Sequence, residues 1–199
     1  MVLIARRRAV VKIRQCRQSA GKIKVMEDHY IAGFVDGEGS FHIAFQRNPD
    51  VKIGWQAIPE FHVSQNVSSR FVLEAIRERL DCGIIKANHR GSRNDRTHVL
   101  VVRNRLDLKM KVIPFFDRYP LHTVKKNDFQ IFKQVVEMMS NEDHLSIEGF
   151  KKIVALAYTM NAGGNRRKIP QETILGSLKS SETIRQRSSG PMRPDLIKI

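Results

Sequence analysis

The chain has 199 residues, 41% of them hydrophobic, and carries 35 Lys+Arg against 20 Asp+Glu, a net charge of +15. That length suits one ordinary domain with its own core, and no apolar run is long enough to span a membrane. The basic excess points to a polyanionic partner, nucleic acid being the commonest. Neither the cysteines, Cys16 and Cys82, nor the seven histidines fall at metal-ligand spacing, so the sequence predicts inert thiols, a reducing compartment and no zinc site.

Residues 1–26 hold Arg6, Arg7, Arg8, Lys12, Arg14, Arg17, Lys22 and Lys24 with no acid among them. The segment reads equally as a basic arm, an Arg-rich transit peptide or a translated leader ahead of Met26, and is expected to order poorly without a partner. The folded part is expected over 27–162, starting at Asp28 as an N-cap, with a short apolar helix from His29 to about Asp36 that ends at Gly37 and Gly39. Residues 40–46 then alternate, with Phe41, Ile43 and Phe45 on one face and His42, Ala44 and Gln46 on the other, the period of a strand. A loop around Asn48-Pro49-Asp50 leads to a second strand over 55–65, where Pro59 predicts a bulge or an irregular edge.

Asn66 or Ser68 can cap the next helix, whose apolar stripe is Phe71, Val72, Ala75, Ile76 and Leu80. Strands over 84–90 and 98–103 flank the basic turn "RGSRNDR". The rest reads as helices over 106–116, stopped near Pro114, then over 125–139 and 147–160. Residues 163–199 read as a basic loop and tail with one weak helix. The order αββαββα is that of an α+β fold with a four-stranded antiparallel sheet, helices on one face and a polar, basic face left open.

One stretch stands out: "IAGFVDGEG", residues 31–39, which places Asp36 and Glu38 among glycines at a helix end. Asp36 can simply stop the helix while Glu38 is solvated. A helix C-terminus disfavours acids, however, by about 0.3–1 kcal/mol each, and a hard cation such as Mg²⁺, which takes oxygen ligands, would offset that.

These nine residues resemble the LAGLIDADG motif of homing endonucleases. So do Tyr30 before it, Ser40-Phe41 after it, and the segments "FHVSQN", "PFFDRYPL…KKNDFQIF" and "LSIEGFKKIVALAYTMN" in the same αββαββα order. The resemblance implies a site-specific, intron-encoded DNA endonuclease. With one motif per chain, it implies a homodimer whose motif helices pack through small residues (Ala32, Gly33), with Asp36 bracing the helix end against the partner. In the same way it implies Glu38 and the Gly37 carbonyl as metal ligands, with Mg²⁺ as the ion, Mn²⁺ as a substitute and Ca²⁺ supporting binding only. Gln65 falls where the family orients a water, although a plain strand-end amide reads the same. Lys125 or Lys126 falls where the family stabilises charge at the scissile phosphate. Ser69 departs from the arginine that some homodimeric relatives carry, and Arg70 beside it is the candidate replacement.

Alternation turns His42, Gln46 and Asn48, then Glu60, His62 and Ser64, then Lys86, Asn88 and Arg90 toward the open face, where a saddle-shaped sheet would read double-stranded DNA in the major groove. The fourth strand, "HVLVV", does not alternate and its face is left unassigned. Arg93, Arg96, Arg166, Arg167 and Lys168, in loops, are expected on phosphates. The same fold would also serve an RNA-binding intron maturase or a catalytically inactive DNA-binding regulator. The resemblance places the protein inside a cell, in bacterial or phage cytoplasm or in an organelle.

Overall fold

The structure, a computed structural model, describes residues 26–88, 96–163 and 167–178. The expected arm before Met26, Cys16, Arg90, Arg93 and Arg166 lie outside the described residues.

Helix α1 (Asp28–Glu38) leads into β1 (Gly39–Arg47), β2 (Trp55–Asn66), α2 (Arg70–Leu80), β3 (Ile84–Ala87) and β4 (Thr97–Val102). A helical stretch follows, in which α3 (Arg105–Asp107) and α4 (Ile113–Arg118) are joined by a π turn over Leu108–Val112. Helices α5 (Lys125–Ser140), α6 (Ile147–Gly163) and α7 (Gln171–Gly176) complete the described chain. The four strands form one antiparallel sheet in the order β1-β2-β4-β3. No helix among the described residues is long and apolar enough to cross a membrane.

The period-two pattern of β1 decides which side the helices take. Phe41 and Ile43 are fully buried, and Phe41 meets Phe61, Phe116, Phe129 and Phe132 at ring-centroid distances of 5.1, 5.5, 5.2 and 5.3 Å. Such pairs contribute about 0.5–1.5 kcal/mol each beyond area burial, so one strand position ties β2, α4 and α5 into a single core. Ile31 and Val35, one turn apart on α1, enter the same core.

Several local expectations shift. Asp28 is not the N-cap: Glu27 holds that position, and Asp28 in the first turn instead bonds Arg79 of α2 through both its oxygens, at 2.5 and 2.8 Å. α1 runs through Gly37 to Glu38 and stops at Gly39, where a Cβ would lie 2.5 Å from Val35 Cγ1 and 2.7 Å from the Val35 carbonyl. Pro59 makes no bulge. The β1–β2 register is unbroken from Gly39↔Val63 to Arg47↔Trp55, and β4 pairs with β2 only from Phe61 onward. Pro59 therefore lies where that flank of β2 has no partner strand and no missing donor is felt.

Phe71 is 56% exposed while Leu73 is buried, so the α2 stripe is Val72, Leu73, Ala75, Ile76 and Leu80. Nor does Pro114 stop its helix. The wider π turn before it places the proline in the first turn of α4, where its missing N–H is not needed. The segment expected as tail is partly core: Ile174 of α7 is fully buried, and Trp55 Nε1 donates to Ser177 Oγ at 3.0 Å.

Candidate active site and open sheet face

The end of α1 gathers the expected catalytic groups. Because Gly39 opens β1 and pairs with Val63, Gln65 lies two residues further along β2, at the same end of the sheet as Gly37 and Glu38. Odd-numbered β2 residues Phe61 and Val63 face the helices, and Gln65 shares that side. Its Oε1 accepts from the Asn66 N–H at 2.8 Å, which leaves the amide nitrogen able to donate. Glu38, on the last turn of α1, is exposed.

Lys125, at the start of α5, is the lysine that reaches this cluster. Its Nζ donates to the Val35 carbonyl at 3.0 Å and the Gly37 carbonyl at 3.1 Å. An ammonium at a helix C-terminus answers the negative end of the macrodipole. Burial pulls the Lys125 pKa below its usual value, against the opposing pull of Asp36, Glu38 and Asp128. Lys126 is exposed, so of the two lysines in "KKND" Lys125 is the one in contact with the end of α1. The Gly37 carbonyl, expected as a free metal ligand, already accepts one hydrogen bond and keeps its second lone pair.

Asp36 acts within the chain. Its carboxylate accepts from the His122 N–H at 2.9 Å, the Thr123 N–H at 3.1 Å and Thr123 Oγ1 at 2.6 Å. Burial alone would raise its pKa, but those hydrogen bonds and Lys125 hold it below the usual carboxylate value. It therefore braces α1 against the turn that precedes α5 within the chain itself. Ala32 is likewise buried in its own chain. The outward stripe of α1 is Tyr30, 55% exposed, with Gly33 and Gly37, where an added Cβ would meet nothing within 4 Å.

Arg70 does not stand free in the place of Ser69: its Nε donates to Glu74 Oε1 at 2.8 Å, one turn along α2. Arg167, expected on phosphate, is built into the body. It donates to the Ile43 and Ala157 carbonyls, both at 2.7 Å, and lies over the rings of Tyr158 and Phe45 at 4.7 and 5.6 Å. Burial lowers its pKa. Asn161, which sequence reasoning missed, locks the same region: its N–H donates to Asp128 Oδ1 at 2.8 Å and its Nδ2 to the Phe41 carbonyl at 3.1 Å. Its φ of +51° is a region that Asn tolerates better than most residues with a side chain.

On the open face the structure places His42, Gln46, His62, Ser64 and Lys86 as alternation predicts, with Asn48 at the strand end and Arg96, Asn88 and Lys168 exposed beyond it. It also settles β4. Leu100 and Val102 enter the core, so Val99 and Val101 take the open face beside Ser64 and His62. Glu60 is no solvent-facing reader: it is 4% exposed, bonded by His42 Nε2 at 2.7 Å, with His62 Nε2 at 3.2 Å and Arg103 at its other oxygen. Burial raises its pKa, yet its contacts with His42 and His62 outweigh that and hold it well below the carboxylate range. Burial also pushes the Cys82 thiol up to about 11, so it stays protonated and inert at neutral pH.

Comparison with known proteins agrees with this architecture. A homing endonuclease of known crystal structure, I-TnaI, superposes with a TM-score of 0.69 at 37% identity, over 77% of this chain and 98% of that one. The DNA complex of the group I intron-encoded homing endonuclease I-CeuI gives a TM-score of 0.68 at 26% identity, over 82% and 79% of the two chains. A probable intron-encoded endonuclease of Neurospora crassa is 35% identical over 136 residues, 67% of this chain, although the chain spans only 29% of that protein's length. The sequence profile of the LAGLIDADG endonucleases matches residues 31–136, from the first residue of "IAGFVDGEG" to within α5, and the chain belongs to that family.

Proposed function

We propose that the chain is a sequence-specific DNA endonuclease that works as a homodimer, binding a long, nearly palindromic duplex site and hydrolysing one phosphodiester in each strand. The observation that carries this is the Lys125 ammonium on the Gly37 carbonyl beside Glu38, at the sheet end that also holds Gln65. A module that only bound DNA would need the face and not the cluster. Support comes also from the DNA-bound state of I-CeuI and from the near-complete overlap with the I-TnaI chain.

The single motif calls for a second copy. Among the described residues, an added Cβ at Gly33 or Gly37 would meet nothing within 4 Å, and small residues let two helix backbones approach. A C₂ partner would set a second Glu38 beside the first and impose two-fold symmetry on the DNA site.

The donors fit Mg²⁺. Glu38 is an exposed carboxylate beside a backbone carbonyl, an all-oxygen set of the kind that hard cations take, with water and phosphate completing the coordination. Mn²⁺ would substitute, and Ca²⁺ would support binding only. A bound divalent ion would generate the attacking hydroxide and neutralise charge on the leaving oxygen. Around it, the Gln65 amide nitrogen is placed to orient a water, and Lys125 supplies a fixed positive charge that needs no reorganisation as the phosphorane charge develops. Lys86, Arg96 and Lys168 would hold the duplex by its phosphates, and Gln46 and Ser64 would meet base edges.

The test is cleavage of a plasmid library of candidate sites by the full chain, with Mg²⁺ and then with Ca²⁺ alone. Cutting is expected only with Mg²⁺. Glu38→Gln should keep DNA affinity and lower the cleavage rate on the order of 10²-fold or more. Equal collapse of binding would make Glu38 a structural residue. Failure of the wild type to cut any site, together with tight binding of intron RNA, would move the chain to the maturase reading.

A further inference from the structure

Sequence spacing offers no zinc site, but strand register brings three potential ligands together. His42 of β1 lies directly across from Glu60 of β2, and His62 is two residues further along β2, hence on the same face. His42 Nε2 and His62 Nε2 stand 2.7 and 3.2 Å from the same oxygen, Glu60 Oε2, and the three ligand atoms lie within 4.8 Å of one another. The two imidazole rings meet edge to face, with centroids 4.6 Å apart, so their nitrogens converge instead of stacking away from each other.

Two features separate this trio from an ordinary hydrogen-bonded patch. His62 Nε2 is buried and has no hydrogen bond of proper geometry, despite its closeness to Glu60. A ligand on that nitrogen would satisfy it. Glu60 is also held from behind: Arg103 takes Oε1, so Oε2 is the oxygen turned to the histidines. Charged partners that orient a ligating carboxylate in this way are a regular part of protein metal sites.

We propose that His42, Glu60 and His62 form a binding site for a divalent transition-metal ion of the Zn²⁺ class. Two imidazole nitrogens and one carboxylate oxygen are donors that Zn²⁺, Co²⁺ and Ni²⁺ take readily, whereas Mg²⁺ prefers oxygen alone. Tetrahedral Zn²⁺ with ligands at about 2.0–2.2 Å needs ligand atoms roughly 3.3–3.5 Å apart. The two nitrogen–oxygen distances, 2.7 and 3.2 Å, fall just short of that value, and small side-chain rotations of histidines that are 28% and 25% exposed would reach it. Three protein ligands leave a fourth position open. The site is separate from the α1 end, which is built of oxygens on the helix side of the sheet, while this one sits on the open face.

The experiment uses the full chain, stripped of metal with a chelator that is then removed, and titrated with Co²⁺ alone. One Co²⁺ per chain should bind with the visible d–d absorption of a low-coordinate site, be displaced by Zn²⁺ and persist in excess Mg²⁺. His62→Ala and His42→Gln should each weaken it by more than the roughly 10–100-fold that losing an outer partner costs. Glu38→Gln should leave it unchanged, so the outcome does not depend on the nuclease reading. A wild type without saturable Co²⁺ binding would overturn the proposal, as would histidine variants that bind like the wild type. Should both variants unfold, long-range ¹H–¹⁵N spectra of the wild type decide: Zn²⁺ must shift the imidazole nitrogens of His42 and His62, and shifts confined to other histidines, or none, count against the site.

Discussion

Lys125 and Lys126 are adjacent and chemically identical, yet only the first contacts the end of α1. A helix turns about 100° per residue, so α5 directs Lys125 at the Val35 and Gly37 carbonyls while Lys126 stays in solvent. Lys125→Met is therefore expected to lower cleavage on the order of 10²-fold, and Lys126→Met to leave it near wild type. Single-turnover kinetics on one target would decide, and equal losses would refute the assignment. Asp36 makes a pH prediction. Its folded pKa lies below the unfolded one, so its stabilisation is fully present above about pH 3.9 and is lost as the pH falls through the folded value. Asp36→Asn removes that dependence. Thermal melting of the wild type should fall more steeply than the variant's below about pH 4, while at neutral pH the variant loses on the order of 1 kcal/mol. Parallel melting curves at every pH would show that the carboxylate charge is not what binds α1 to the turn before α5.

Elements matter because the same residue type does different work according to what packs beside it. Arg167 and Lys168 are neighbours in one basic loop, and composition treats them alike. Phe45 of β1 and Tyr158 of α6 create an aromatic slot that accepts a guanidinium, and two carbonyls at its end complete the fit. Arg167→Ala should destabilise the protein by about 2–4 kcal/mol, through the abandoned carbonyls and the lost ring contacts, measurable by urea unfolding. The salt dependence of DNA binding should be unchanged, because Arg167 releases no counterion. A shallower salt slope with normal stability would restore it to the phosphate contacts. The strands β1 and β2 were legible throughout, since alternation over nine and twelve residues leaves one choice of face. β4 was not, because its six residues end in four consecutive apolar side chains and only pairing with β2 shows which two enter the core.

At the scale of the whole molecule, one copy of the motif is the fact with the widest reach. In the single chain Gly33 has open space around it, so Gly33→Ala should keep the fold and even add about 0.5–1 kcal/mol of helix stability. If two α1 helices pack at that residue, the same change raises the dimer dissociation constant by about 10-fold or more, some 1.4 kcal/mol. Sedimentation equilibrium together with chemical unfolding separates the two effects. A stabilised variant with unaltered mass at every concentration would place the interface elsewhere. The charge of +15 belongs to this scale as well. It sets attraction to a polyanion and leaves open which basic residues touch it, as Arg167 and Arg70 illustrate.

The order of elements, the buried face of β1 and β2, and the acids at the end of α1 were determined by the sequence alone, because periodicity and glycine placement act locally. The tertiary structure decided whatever depends on residues far apart in the chain. It turned Asp36 to the turn 86 residues on and Lys125 to the Gly37 carbonyl 88 residues back, packed Arg167 against β1, and brought His42 and His62 onto one carboxylate oxygen of Glu60. Such contacts follow from strand register and helix docking, which the whole core sets at once, and no local pattern encodes them.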